Sequence, residues 1–153
     1  MANTYTQLHV HVVFTVQNRQ SLIDIKWKDD LYKYITAIIQ NNKHKVLQIN
    51  GMADHIHILI GMRPVQSLSD LMKQVKQDSS KWINQKELIN GKFSWQSGFG
   101  AFSYSKSEVP VVIRYIQNQE QHHKTTNFRD EYLDLLNEHN IEFDERFIFK
   151  SIE

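Results

Sequence analysis

The chain has 153 residues, of which 41% are hydrophobic and 11% aromatic, with no cysteine and a formal net charge of +1. That profile reads as one folded domain, 1–153, able to bury a core without staples, and the missing cysteine excludes disulfides, thiolate zinc sites and cysteine nucleophiles. No signal-peptide pattern stands at the N-terminus and no apolar run approaches the ~20 residues that span a bilayer, so a cytoplasmic protein without a membrane partner is expected. In chain order, "TYTQLHVHVVFTV" predicts a first strand over about Tyr5–Val16. Trp27, Leu31, Tyr34, Ile35, Ile38 and Ile39 then recur at helical spacing, predicting an amphipathic helix over about Ile25–Asn42. "KVLQI" and "MADHIHILIGM" predict an antiparallel hairpin turning at the "NG" between them.

Ser67, followed three residues later by Asp70, reads as an N-cap. Leu68, Leu71, Met72, Val75, Ser79, Trp82 and Ile83 continue as the stripe of a second helix to about Leu88. "FSWQSGFGAFSYS" predicts a fourth strand, with Gly98 and Gly100 marking a bulge or a close approach. A third helix starts at "SKSEVP", where a proline is tolerated in the first turn, and runs to about Lys124. A fourth covers about Phe128–His139, and "IEFDERFIF" is a strand-like tail. The order predicts an α+β fold: a ferredoxin-like antiparallel sheet, βαββαβ, with helices on one face and a further C-terminal helix. The middle, Lys26 to Lys92, carries 11 Lys and Arg against 6 Asp and Glu, and from Glu108 onward the count is 5 against 10. A basic middle suits either a phosphate backbone or ordinary solvated helix faces.

Candidate chemistry starts at His55 and His57. Strand alternation sends both to one face, as two satisfied histidines or as two ligands of one metal ion. Asp54 is expected on the opposite face. In "VVIRYIQNQEQHHK", Gln119 lies about 40° and His122 about −20° around the helix from Tyr115, so the three share a face. Gln119 is about 6 Å along the axis and leans back toward Tyr115, whereas His122 is about 10.5 Å away, which favours Gln119 as the third ligand. His122 and His123 are accessory candidates as ligand, proton carrier or phosphate contact. His9 and His11 repeat the histidine spacing, and packing or dimer support is their expected role.

"DHIHILI" resembles the His-hydrophobic-His motif of HUH endonucleases, and "YIQNQ" is similar to the nucleophile helix of the small single-tyrosine HUH transposases of bacterial insertion sequences, the IS-two-hundred-like type. "HVVFTVQNRQ", "SLSDLMKQVKQDSSKW" and "WQSGFGAFSYSKS" resemble that family in order and spacing, from Tyr5 to about Tyr132. The resemblance implies a DNA transposase domain in which His55, His57 and Gln119 hold Mg2+ or Mn2+. Tyr115 would cut single-stranded DNA at hairpin-marked ends, leaving a 5′-phosphotyrosine link and a free 3′-hydroxyl that allow rejoining. It also implies a homodimer with shared active sites, and a C-terminal helix, the third, that bears the nucleophile Tyr115. Arg19, Lys73 and Lys76 are the candidate phosphate contacts. A tyrosine of ordinary pKa ~10 needs help to lose its proton, and no general base is evident in the sequence. The alternatives are a domesticated palindrome-processing relative, a non-catalytic single-stranded nucleic-acid-binding module and a metal-dependent hydrolase using water.

Overall fold

The structure, a computed structural model, describes residues 4–143. It contains strands β1 (Leu8–Thr15), β2 (Lys45–Met52), β3 (His55–Met62) and β4 (Gly100–Tyr104), and helices α1 (Lys28–Asn41), α2 (Leu68–Gln85), α3 (Val109–Gln117), α4 (Gln119–His122) and α5 (Phe128–Glu138). The strands form one four-stranded sheet in the order β2-β3-β1-β4, antiparallel throughout. This is the expected βαββαβ arrangement. Most of the strand-like tail lies outside the described residues. No helix among the described residues is long and apolar enough to cross a membrane.

The two faces of the sheet are dressed differently. Val12 and Phe14 of β1 and Ile56, Ile58 and Ile60 of β3 point to α1 and α2, meeting Leu31, Ile35, Ile39, Leu71, Val75 and Ile83 in the main core. Ser67 caps α2 by accepting from the Asp70 backbone N–H at 3.0 Å, as the sequence indicates. The opposite face is covered by α3 to α5: Leu59 packs on Val112 and Ile116, and Val13 and Phe102 on Phe128, Tyr132 and Leu135. The helices expected on one face are therefore α1 and α2, and the C-terminal helices form a third layer. Burying Val112 or Ile116 there contributes about 1.5–3 kcal/mol each. With both faces covered, β3 is a buried strand and His55 and His57 are shut from solvent.

Several boundaries move for local reasons. β1 starts at Leu8, paired with Met62, because β3 ends before Pro64 and offers no partner further out. The hairpin turns at Ala53–Asp54 instead of at "NG". Gly51 is inside β2 opposite Ile56, and a Cβ there would meet the His55 carbonyl oxygen at 2.2 Å, so the glycine serves close approach. β4 is short, while Trp95 only bridges Val16 and packs edge-on to Phe14 and Phe93. The third predicted helix breaks at Asn118 (φ −95°, ψ 22°), dividing α3 from α4.

Candidate active site

His55 and His57 project from β3 toward α3, α4 and α5, and each imidazole is held from behind. His55 Nδ1–H donates to Asp54 Oδ1 at 2.7 Å, and His57 Nδ1 lies 2.8 Å from His11 Nε2. Both Nε2 atoms then turn inward to the same place. Asp54 reaches its histidine because it stands in the turn before β3, where strand alternation does not apply, and not on the opposite face as expected. His11 comes from β1, the neighbour of β3, and its ring stacks on His57 at 5.0 Å. This packing has a hydrogen-bonding purpose.

Tyr115 near the end of α3 and Gln119 at the start of α4 close over the histidines. Gln119 is fully buried, with Oε1 3.3 Å from His55 Nε2. The structure thus brings together His55, His57, Gln119 and Tyr115, and it adds Glu131 from α5, which the sequence reading passed over. Glu131 Oε1 lies 3.1 Å from His57 Nε2 and 3.1 Å from His123 Nε2. Glu131 Oε2 accepts from the Tyr115 hydroxyl, accepts from Gln119 Nε2 at 3.1 Å and lies 3.4 Å from His122 Nε2. A signal existed: Glu131 falls within the apolar stripe Phe128, Tyr132, Leu135, Leu136 of its helix, where a carboxylate needs a reason.

The electrostatics follow from burial and from this carboxylate. Burial would raise the Glu131 carboxyl, but hydrogen bonds from His123 and His57 and the neighbouring histidine charges hold it well below the usual carboxylate range. Burial lowers His57 to about 4 against the pull of Glu131, so this imidazole is neutral near pH 7. Burial also lowers His123, but the Glu131 carboxylate outweighs it and the imidazole is raised. Of these imidazoles it is His123 whose charged form the carboxylate favours. The Tyr115 hydroxyl is pushed well above its ordinary value by burial and then by the Glu131 charge, with the hydrogen bond to Glu131 acting in the same direction.

These donors fit a divalent cation. With Nδ1–H of His55 committed to Asp54, its Nε2 lone pair faces the Gln119 amide oxygen, and the neutral His57 faces a carboxylate oxygen. His55, His57 and Glu131 each offer a ligand atom within 4.8 Å of the others, all buried. A cation among them would take the place of the His57–Glu131 hydrogen bond and draw both imidazoles and the carboxylate to one point, and imidazoles fixed through their second nitrogen are the usual surroundings of a metal.

The candidate DNA contacts are dispersed. Arg19 lies at the rim of the histidine cluster, its guanidinium carbon 5.7 Å from the Phe128 ring centroid and its charge lowering Asp54. Lys73 is exposed on α2, across the sheet from the site. Lys76 is turned inward, donating to the Gln96 carbonyl at 2.8 Å and to that of Gly98. Its ammonium holds the loop before β4 in this conformation.

A family profile described as "Transposase IS200 like" matches residues 4–119. The chain is similar to the ISDra2 transposase TnpA of Deinococcus radiodurans, 25% identical over 118 residues, which are 74% of this chain and 84% of that protein. Its fold is similar to a crystal structure from Deinococcus radiodurans R1 described as a transposase, with TM-score 0.63 and 19% identity, covering 78% of this chain and 95% of the other. It is also similar to the structure of a REP-associated tyrosine transposase bound to a REP hairpin, with TM-score 0.61 and 13% identity, covering 80% and 73%.

Proposed function

The chain belongs to the IS200-like transposases, a family of DNA-processing enzymes, and from that premise we propose that it cuts and rejoins single-stranded DNA through Tyr115. The observation that carries the reading is the convergence of Tyr115, His55, His57, Gln119 and Glu131 on one buried point. A purely structural cluster has no need of a tyrosyl hydroxyl and a buried amide gathered on one carboxylate beside two imidazole nitrogens.

His55, His57 and Gln119, with Glu131 Oε1 beside them, would hold Mg2+ or Mn2+, and the bound ion would supply Lewis-acid polarisation of the scissile phosphate. The Tyr115 Oη attacks the phosphorus. The bond to the 3′ oxygen breaks, a 5′-phosphotyrosine link forms, and the 3′ oxygen leaves as a hydroxyl once it takes up the proton that Tyr115 gave up. Glu131 Oε2 accepts the Tyr115 hydroxyl hydrogen and is the atom through which its proton would leave. Burial and the same carboxylate raise the Tyr115 hydroxyl, so the transfer would need the positive charge that a bound ion supplies beside it, and Glu131 orients the hydroxyl as well as accepting from it. Rejoining reverses the step: a 3′-hydroxyl displaces the tyrosine, which takes its proton back. Asp54 and His11 orient the two imidazoles.

The substrate would be single-stranded DNA with imperfect hairpins, in keeping with a structural relative bound to a REP hairpin. Arg19 and Lys73 would contact phosphates, His122 and His123 would face the strand as accessory groups, and Lys76 would shape the loop. A homodimer and one domain spanning 1–153 complete the reading, each chain bringing its own Tyr115 and Gln119 to its own histidines. The test is incubation with labelled single strands copied from DNA flanking the gene, in manganese or chelator, followed by a denaturing gel and peptide mass spectrometry. A manganese-dependent adduct on Tyr115, lost in Tyr115→Phe, is expected. Cleavage without an adduct would point to water as nucleophile, and tight binding without cleavage to a binding module.

A further inference from the structure

Tyr115 stands between two surroundings of opposite character. On one side are the imidazoles of His55, His57 and His123. On the other, between α3 and α5, is a cavity of about 390 Å³, which Tyr115, His122 and Glu131 help to line. Its apolar walls come from Val112, Leu135 and the half-buried Tyr104 ring, and exposed Glu108, Asp134 and Glu138 stand at its mouth. The volume lies within the ordinary range for small-ligand pockets. Such a lining repels a phosphate. It suits a flat, uncharged group that offers N–H donors.

A strand whose phosphate meets the Tyr115 hydroxyl must put the bases on either side of that phosphate somewhere nearby, because successive nucleotides are only about 3.4 Å apart along a stacked strand. The histidine side is small, closed and polar, and the cavity is the adjoining space with apolar walls. We propose, on the strand-cutting reading above, that this cavity receives an unstacked nucleobase next to the scissile phosphate and favours bases bearing an exocyclic amino group. The Tyr104 ring offers a face for stacking, which tolerates any base. The carboxylates add the selection. They accept from the N4 amino group of cytosine or the N6 amino group of adenine, whereas thymine presents an O4 acceptor in the same position and would meet them lone pair to lone pair. The protein would thus read one base of the cleavage site directly, in addition to whatever hairpin it holds.

The unmodified protein tests this with substrate analogues. Once a cleaved strand is identified, each base within two nucleotides of the scissile phosphate is replaced in turn by cytosine, by 2-pyrimidinone (cytosine without its amino group), by thymine and by an abasic residue, and adduct formation is timed. One flanking position should lose about tenfold in rate when the amino group is removed, and as much or more with thymine. Asp134→Asn and Glu138→Gln, which replace an acceptor with a group that also donates, should narrow the gap between cytosine and thymine at that position alone. Equal rates with every base at every flanking position would overturn the proposal while leaving strand cutting by Tyr115 intact. Base-independent stimulation by spermine would overturn it in favour of a cation site. No adduct on any strand in manganese would remove the strand-cutting reading and the pocket with it.

Discussion

Asp54 offers a direct test of how the histidine cluster is built. Its carboxylate accepts from His55 Nδ1 at 2.7 Å and is 22% exposed, while His55 is fully buried. Asp54→Ala leaves the imidazole free to change tautomer or tilt, and losing such a partner ordinarily weakens metal binding 10- to 100-fold, or about 1.4–2.8 kcal/mol. Because Asp54 is partly open, water can take its place, and the lower end is expected: about tenfold weaker binding. Asp54→Asn keeps an oxygen that accepts from Nδ1–H and should lose no more than about threefold. Calorimetric titration of the apoprotein with Mn2+ reads both values, with His57→Ala as the variant expected to lose binding. Unchanged affinity in Asp54→Ala would refute the reasoning. It would mean that packing on Phe128, whose ring lies 4.5 Å from that of His55, fixes the imidazole without the carboxylate.

Three further outcomes follow from other parts of the molecule. Ser79→Ala should cost about 1–3 kcal/mol in urea unfolding, because Ser79 Oγ is the buried acceptor for Trp95 Nε1–H at 2.9 Å and its loss leaves that donor unpaired. Gly51→Ala should cost about 1–3 kcal/mol and also weaken Mn2+ binding, since the new Cβ collides with the His55 carbonyl; equal affinity for Mn2+ would separate the hairpin from the site. Burial lowers Lys76 from 10.5 to about 8, so between those values the unfolded chain binds more protons than the folded one and stability rises with pH. Lys76→Met should flatten that rise in urea midpoints measured across the window.

The sheet was legible in the sequence because its signals are local and periodic: alternation through β1 and β3, and the apolar stripes of α1 and α2. The pairing of Tyr115 with Gln119 was legible for the same reason, since a spacing of four residues survives the break at Asn118 well enough to keep both over the histidines. What the sequence hid depends on relations between elements. His11 meets His57 only through the β1–β3 register, in which Val13 is the Cα partner of His57. Asp54 escapes strand alternation because the turn begins three residues later than "NG" suggests. Glu131 arrives from a helix whose docking angle no periodicity specifies. The same applies to Lys76, whose spacing from Lys73 suggested a shared basic face until the loop before β4 turned its carbonyls toward the ammonium.

Glu131 also bears on how such a chain drifts once selection on its activity relaxes. Tyr115→Phe removes one hydroxyl and leaves the packing of α3 on Leu59 intact, so a silent copy of this kind keeps its shape and can be restored by a single reversion. Replacing Glu131 by an apolar residue strands His57, Gln119, His123 and Tyr115 together in a buried setting, because each depends on the same two oxygens. Substitutions at those positions are therefore not independent. A lineage that loses Glu131 first alters the cost of every later change around it, and its route back narrows with each one accepted.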